Sequence, residues 1–460
     1  MTTKHNVLVL GSGMMTPTLI GQLLAYGDTH VTVASNILKD AEALVKLSPK
    51  FLSAAYLDVQ DIPALEKLIA SHDHVISFIP PWMHTPIAEA CLRTGRNMTT
   101  SSYISPDMIR MHPEVKAKGL IFLNECGLDP GIDIMGTMKI LHEAQEAGFK
   151  IVSYESYCGG LPVAEQADNP LGYKFSWNPG AAIKASRNTA IYKWNGDKVV
   201  TNTPLKCAIV RDDFSVSMKL ESYPNRDSLV FMERFGMQEC ETFIRGTLRF
   251  TGFSDIISSF HDIGLTSDDP ADKSIKTLRD LLESRLGGAH KTLGPRTAGL
   301  VAATTRGMPA ADADLVKRAL ARADFAYITD DRLLGTAIKN IVKSMQFLGF
   351  FDANQKVQVL DKAGKQRPCL DVLGDVMGVK LALTEHDRDL VIMRHVFQIE
   401  DPKDKSRWEH TSTMVASGKS ASQGGPSIMS HTVGVTCALA TRLVLEKKIT
   451  ERGVLSPMTK

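Results

Sequence analysis

The stretch Asn6-Val7-Leu8-Val9-Leu10-Gly11-Ser12-Gly13-Met14-Met15-Thr16-Pro17-Thr18-Leu19-Ile20 constrains the chain most. An unbroken apolar run stops at two glycines and resumes with helical spacing, the pattern of a buried parallel strand, a tight turn and a helix start. Gly11 permits the turn and Gly13 lets a pyrophosphate approach the backbone. The helix start offers unbonded N–H groups and the positive end of its dipole. The place of a third glycine holds Thr16, followed by Pro17. Thr16 is expected to cap the helix and Pro17 to occupy its first turn, which alters helix–strand packing and keeps the cradle. A plain buried strand and turn is the competing reading, and the strand and helix patterns that alternate after it favour the dinucleotide fold.

Glycines interrupting the first apolar run argue against a signal peptide, and no uninterrupted apolar stretch is long enough to span a bilayer. Lys plus Arg number 53 against 51 Asp plus Glu, and the basic residues form no run or stripe. Neither nucleic acid nor an anionic membrane is therefore an expected partner. Seven cysteines, odd in number and without C-x-x-C spacing, read as reduced thiols of a cytoplasmic protein. The 13 histidines show no H-E-x-x-H spacing, so no metal site is expected.

A second strand, His30 to Ala34, ends in Ser35-Asn36-Ile37-Leu38-Lys39. A carboxylate at this point would bond the ribose hydroxyls of NAD and repel a 2′-phosphate; none occurs before Asp40. That favours NADP, with Ser35, Asn36 and Lys39 as donors. Strand three, about Ser53 to Leu57, ends in Asp58-Val59, an adenine-side contact. Strands four (His74 to Phe78), five (Asn97 to Thr100) and six (Leu120 to Leu123) follow. Carboxyl ends of parallel strands face the ligand crevice, which puts Pro80, Ser102 and Tyr103 near the nicotinamide end.

The pattern changes near Cys126. A helix from about Ile134 to Ala147 precedes a strand from Lys150 to Cys158, Asn195-Gly196 signals a hairpin, and Thr242 to Phe250 alternates. From about Phe253 to Leu383 the period is helical; strands return at Asp389 to Ile399 and Glu409 to Val415. A final helix, about Ile428 to Leu445, is apolar on one face and is expected to pack back on the first domain. The expected class is α/β: an N-terminal Rossmann-like doubly wound parallel sheet, a second α+β domain with a mixed or antiparallel sheet, and an inserted helical subdomain. The expected divisions are 1–125 with 428–460, 126–252 with 384–427, and 253–383.

In a nicotinamide enzyme the cofactor carries the hydride, and protein groups must place the acceptor and manage protons. Tyr103 after strand five, Asp129 after strand six and Cys158 before Gly159-Gly160 are candidates at strand ends. Each also has an ordinary structural reading: Asp129 or Asp133 as a helix cap, Cys158 as a small core residue, Tyr103 as a packing residue. The turn Tyr223-Pro224-Asn225-Arg226-Asp227 presents Arg226, and Arg245-Gly246-Thr247-Leu248-Arg249 sets two arginines on one strand face. Both arginine sites suit carboxylate capture. For Arg249 a solvated strand face is the preferred reading.

These blocks, with Ser101-Ser102-Tyr103-Ile104-Ser105-Pro106, Gly127-Leu128-Asp129-Pro130-Gly131-Ile132-Asp133, Ser156-Tyr157-Cys158-Gly159-Gly160-Leu161-Pro162 and Asn169-Pro170-Leu171-Gly172-Tyr173-Lys174-Phe175-Ser176-Trp177, resemble the saccharopine reductase family across nearly the whole chain. Its members are NADP-dependent, glutamate-forming saccharopine dehydrogenases of lysine metabolism. The resemblance implies reversible reduction of the imine of L-glutamate and 2-aminoadipate 6-semialdehyde to saccharopine, a tricarboxylic amine. It implies substrate contacts from Ser102, Tyr103, Asp129, Arg226, Arg245 and Thr247. Tyr103, Asp129 and Cys158 become the acid–base candidates. Gly11, Ser12, Gly13, Met14, Ser35, Asn36, Asp58, Val59, Ile79, Ser101, Leu128 and Lys174 are implied to line the cofactor.

One departure stands out. Fungal members usually have Cys-Arg where this chain has Ser35-Asn36, and animal members tend to have an acidic residue in place of Asn36. The NAD-dependent animal-type enzyme and a dehydrogenase of polyamine-type imines are therefore the enzymatic alternatives. A non-catalytic dinucleotide sensor is the alternative outside enzymes. A small-molecule substrate and a homodimer are expected.

Overall fold

The computed structural model describes residues 4–214, 218–287 and 292–459. The chain divides into two compact units, Met1–Phe149 with Gly418–Lys460, and Lys150–Ser417.

In the first unit β1 (His5–Leu10), α1 (Thr16–Leu24), β2 (Thr29–Ser35), α2 (Leu38–Val45), β3 (Leu52–Tyr56), α3 (Ile62–Ala70), β4 (His74–Ser77), α4 (His84–Thr94), β5 (Asn97–Thr100), α5 (Pro106–Ala117) and β6 (Ile121–Leu123) alternate along the chain. The strands form one parallel sheet in the order Gly453–Leu455, β6, β5, β4, β1, β2, β3. Val7 and Val9 join one apolar layer with Leu19, Ile20 and Cys437, whereas Leu8 and Leu10 join the other with Ile87, Cys91 and Met98. Alternate side chains go to opposite faces, and both faces are covered, which is why β1 is apolar throughout. The strand order reverses at β1 and β4, the place where such sheets open a ligand crevice.

The helix Ile428–Leu445 lies along α1. At Gly434 an added Cβ would stand 2.8 Å from the Leu19 nitrogen, Ser430 Oγ is 2.7 Å from Thr18 Oγ1, and Arg442 bonds both Asp28 oxygens at 2.7 and 3.1 Å. By length and composition alone this helix could cross a membrane, although Ser430, His431, Thr432 and Arg442 interrupt its apolar residues. More than half of it is buried, because its apolar side chains complete the layer over one face of the sheet.

The first unit also keeps α6 (Ile132–Glu146), so the two compact units part after Phe149. The chain leaving β6 is tied to the end of β5 by Cys126 N–H on Thr100 O at 3.1 Å, and the turn that follows closes on itself through Gly127 N–H on Pro130 O at 3.0 Å and Asp133 N–H on Leu128 O at 3.1 Å.

The second unit contains β7 (Lys150–Pro162), β8 (Ala190–Trp194), β9 (Asp197–Thr201), β10 (Ile209–Val210), β11 (Leu220–Pro224), β12 (Thr242–Phe250), β13 (Asp389–Glu400) and β14 (Arg407–Ser417). Its mixed sheet runs β10, β11, β12, β7, β13, β14, with β7 parallel to β12 and antiparallel to β13, and with β8 carrying β9 beside β12. Asn195 (φ +50) and Gly196 (φ +91) close the β8–β9 hairpin in the left-handed region its tight turn demands. Helices between β12 and β13 bury Ile256, Leu281, Ile338 and Leu373 in one core with Tyr157, Ile244, Leu248 and Ile392 of the sheet. The helical stretch is thus an insertion in sequence that has no core of its own.

Candidate active site

β1 ends at the crevice, and Gly11 follows it at φ +111 with its N–H on Ala34 O at 2.9 Å. A Cβ at Gly11 would stand 2.7 Å from Phe78 O, so only glycine lets the ends of β1 and β4 meet. A Cβ at Gly13 would have no atom within 4 Å, and its backbone is open to a ligand. Thr16 does not cap α1. Met15 holds the N-cap position without a side-chain bond, and the buried Thr16 hydroxyl donates to Gly11 O at 3.0 Å. The helix begins at Thr16 itself, which turns this side chain inward to close the glycine loop.

Ser12 Oγ donates to Ser35 Oγ at 3.1 Å, and Ser35 Oγ accepts the Ile37 N–H at 3.1 Å, tying the glycine turn to the end of β2. Met14, Asn36 and Asp58 are exposed, while Val59 and Ile79 are half-buried; Asp58 accepts the Gln60 N–H at 3.0 Å. Asp40, the first carboxylate after Ser35, lies in the first turn of α2.

Ser101–Tyr103, after β5, is held against the turn that follows β6. Glu125 N–H bonds Ser102 O at 3.0 Å and Glu125 Oε1 accepts the Ile104 N–H at 3.2 Å, while a Cβ at Gly127 would stand 3.0 Å from Ser101 Cβ. Glu125 takes φ +61, a costly conformation for a residue other than glycine. Clamping the two turns together brings Tyr103 OH to Asp129 Oδ1 at 2.8 Å. Two candidates from separate strand ends therefore form one polar pair, in which the carboxylate directs the phenolic proton. The buried Asp133 accepts the Gly131 N–H at 2.6 Å, a structural role at the start of α6, and Leu128 is buried beside it.

In the second unit Arg226 follows β11 at φ +55, and Asn225 N–H bonds Arg245 O at 2.8 Å, so both arginines stand at one end of adjacent strands. Arg245 is 3% exposed; its guanidinium lies 4.1 Å from the Phe231 ring centre and its main-chain N–H bonds Ser228 Oγ at 3.0 Å. Thr247 shares its strand face and pairs in register with Cys158 of β7. Arg249 is not a solvated strand residue. It is 6% exposed, with Tyr173 and Phe253 rings 4.9 and 5.3 Å from its guanidinium, because aromatic side chains arriving from outside the strand cover that end of the face. Lys174 is buried with Asp387 at 3.0 Å and Asp168 at 3.2 Å. Burial would lower its pKa, but bonds to the two carboxylates outweigh that and raise it, so its charge is matched within the second unit.

Two buried residues escaped the sequence reading: Glu125, which clamps the loop, and His84 at the start of α4, which contacts Ser77 and Ser102. The only local signal for His84 is its position at a helix start just after a strand end, and a lone histidine there has no pattern to announce it. Among the described residues no group of three or more His, Cys, Asp or Glu side chains could hold a metal ion.

Residues 7–123 match the family described as the saccharopine dehydrogenase NADP binding domain, and residues 127–460 match the saccharopine dehydrogenase C-terminal domain. A Pyricularia oryzae protein named saccharopine dehydrogenase (NADP(+), L-glutamate-forming) is 36% identical over 460 residues, covering 100% of this chain and 94% of the relative. The Saccharomyces cerevisiae protein of the same name is 35% identical over 456 residues, covering 98% and 93%. Among solved structures, apo histidine-tagged saccharopine dehydrogenase (L-Glu forming) from Saccharomyces cerevisiae is similar with a TM-score of 0.79 and 34% identity, over 99% of this chain and 94% of that one.

Proposed function

Because the chain belongs to the saccharopine dehydrogenase family, we propose that it catalyses the reversible NADP(H)-dependent reduction of the imine of L-glutamate and 2-aminoadipate 6-semialdehyde to saccharopine, in lysine metabolism. The observation that carries this reading is likeness along the entire chain, at 36% identity, to a protein named for that reaction.

The residues present fit the dinucleotide. A turn that only glycine can make, an open backbone at Gly13 and the lack of a carboxylate between Ser35 and Asp40 suit a pyrophosphate and a 2′-phosphate. Gly11, Ser12, Gly13 and Met14 would hold the pyrophosphate, and Ser35 and Asn36 the 2′-phosphate. Asp58, Val59, Ile79, Ser101, Leu128 and Lys174 would line the rest. When bound, the nicotinamide gives or takes the hydride.

The chain's own groups bind, orient and manage protons. Arg226 and Arg245 anchor carboxylates of saccharopine, and the Phe231 ring beneath Arg245 keeps water from one face of its guanidinium. Ser102 and Thr247 add hydroxyls to the substrate site. Tyr103, its proton directed by Asp129, serves the substrate nitrogen. Cys158 is the remaining acid–base candidate, and a Cys158→Ser chain whose kcat follows the native pH profile would make that thiol a packing residue.

Asn36, standing where an arginine would grip the 2′-phosphate, supports a second reading in which NAD serves. Saccharopine oxidation, followed by reduced-nicotinamide absorbance with each cofactor in turn, decides. Faster turnover with NADP is expected, faster turnover with NAD selects the second reading, and no turnover with either overturns the proposal. A cytoplasmic homodimer completes the reading, tested by light scattering and cell fractionation.

A further inference from the structure

Ser77, His84, Thr100 and Ser102 form a hydrogen-bonded group under the loop that follows β5. His84 is 4% exposed; its Nδ1 lies 2.8 Å from Ser77 Oγ, and its Nε2 lies 2.8 Å from Ser102 Oγ and 3.4 Å from Thr100 Oγ1. Burial pushes the imidazole pKa down to about 4, so near neutral pH the ring carries one N–H and one bare nitrogen.

Thr100 decides which nitrogen has the proton. Its hydroxyl has a single hydrogen, which it donates to Ser77 O at 2.9 Å, and its oxygen also accepts the Ser102 N–H at 3.3 Å. Toward Nε2, Thr100 therefore presents only lone pairs. A bare Nε2 would meet them lone pair to lone pair, whereas an Nε2–H meets two acceptors. The proton accordingly belongs on Nε2 and is donated to Ser102 Oγ, while Ser77 donates its own to Nδ1. With its acceptor side occupied, the Ser102 hydroxyl has its proton left to give away. Its main chain is already pinned by the Glu125 N–H on Ser102 O at 3.0 Å, so the hydroxyl rotor is the freedom that His84 removes.

We propose that His84 is a positioning residue that presents Ser102 as a hydrogen-bond donor to a carboxylate oxygen of the substrate. The inference rests on the reading above that Ser102 touches saccharopine. An unconstrained serine hydroxyl donates or accepts equally well. A committed donor selects anionic oxygen over ammonium, which suits a ligand rich in carboxylates.

Glutamine and asparagine separate the two sides of the ring, because the glutamine amide nitrogen overlays Nε2 and the asparagine amide nitrogen overlays Nδ1. At saturating NADP, Ser102→Ala and His84→Asn should each raise the saccharopine KM on the order of tenfold. His84→Gln should stay near native, and the Ser102→Ala/His84→Asn pair should lose no more than Ser102→Ala alone. NADPH affinity should not change in any of them. Losses that multiply in the pair, or a His84→Gln chain no better than His84→Asn, overturn the role of His84 and leave the substrate reading standing. A Ser102→Ala chain with native KM removes the substrate contact itself and the proposal with it. The native chain gives a test free of any folding defect: 15N NMR of labelled histidine should report the Nε2–H tautomer for His84 at neutral pH, and an Nδ1–H signal overturns the assignment.

Discussion

Replacing Gly11 by alanine tests the cradle on which nucleotide binding depends. At φ +111 an alanine lies outside the regions open to L residues, which costs on the order of 1–3 kcal/mol. Its methyl would stand 2.7 Å from Phe78 O and 3.0 Å from Phe78 C. Those atoms are backbone at the end of β4, so no rotamer change relieves the contact, and the strand ends must part at about 1 kcal/mol more. A total of roughly 2–4 kcal/mol, at about 2–4 °C per kcal/mol for a body of this size, lowers Tm by roughly 5–15 °C. NADPH affinity should fall with it, since parting the strand ends moves the turn. Gly13→Ala is the matched control: Gly13 has no positive φ, and no atom lies within 4 Å of its added Cβ. That chain should keep its Tm yet bind NADPH about tenfold or more weakly, because the methyl fills the place where phosphate approaches. Differential scanning fluorimetry reads the first effect and fluorescence titration with NADPH the second. An unchanged Tm for Gly11→Ala refutes the backbone constraint, and native NADPH affinity in Gly13→Ala refutes the approach of phosphate to this turn.

Tyr103→Phe removes the proton that Asp129 directs and should lower kcat/KM for saccharopine about 10–100-fold with NADPH affinity unchanged; native kinetics would make the pair structural. Arg226→Gly should raise the saccharopine KM about tenfold or more, and glycine takes φ +55 without backbone strain; a native KM refutes the anchoring role. Hydrogen bonds from Arg442 hold Asp28 below the usual carboxylate range, so their stabilisation is present above the ordinary aspartate pKa and disappears as pH falls through the lowered folded value. Asp28→Asn should therefore cost about 1 kcal/mol at neutral pH and converge with the native chain in acid, as read by thermal melts; a difference that stays constant with pH refutes this.

Sequence alone determined the features that local chemistry writes into neighbouring residues. The apolar run into Gly11 and Gly13, the period-two strands of the second unit, the Asn195-Gly196 hairpin and the span of the helix Ile428–Leu445 were legible because each obeys a short-range rule of burial or backbone freedom. Tyr103, Asp129 and Arg245 were legible as candidates, since phenol, carboxylate and guanidinium suit a polar substrate. Tertiary structure alone decided which partner each group meets. Thr16 faces into the glycine loop because the helix starts one residue earlier than a cap requires, and Arg249 is buried because the Tyr173 ring, from a distant segment, and the Phe253 ring, from the helix just after the strand, cover it. The three-residue strand Gly453–Leu455 exists only through its pairing with β6, too short for any pattern of its own. Ser77, His84 and Ser102 lie on separate segments, and no spacing rule links residues whose contact is made by parallel strands laid side by side.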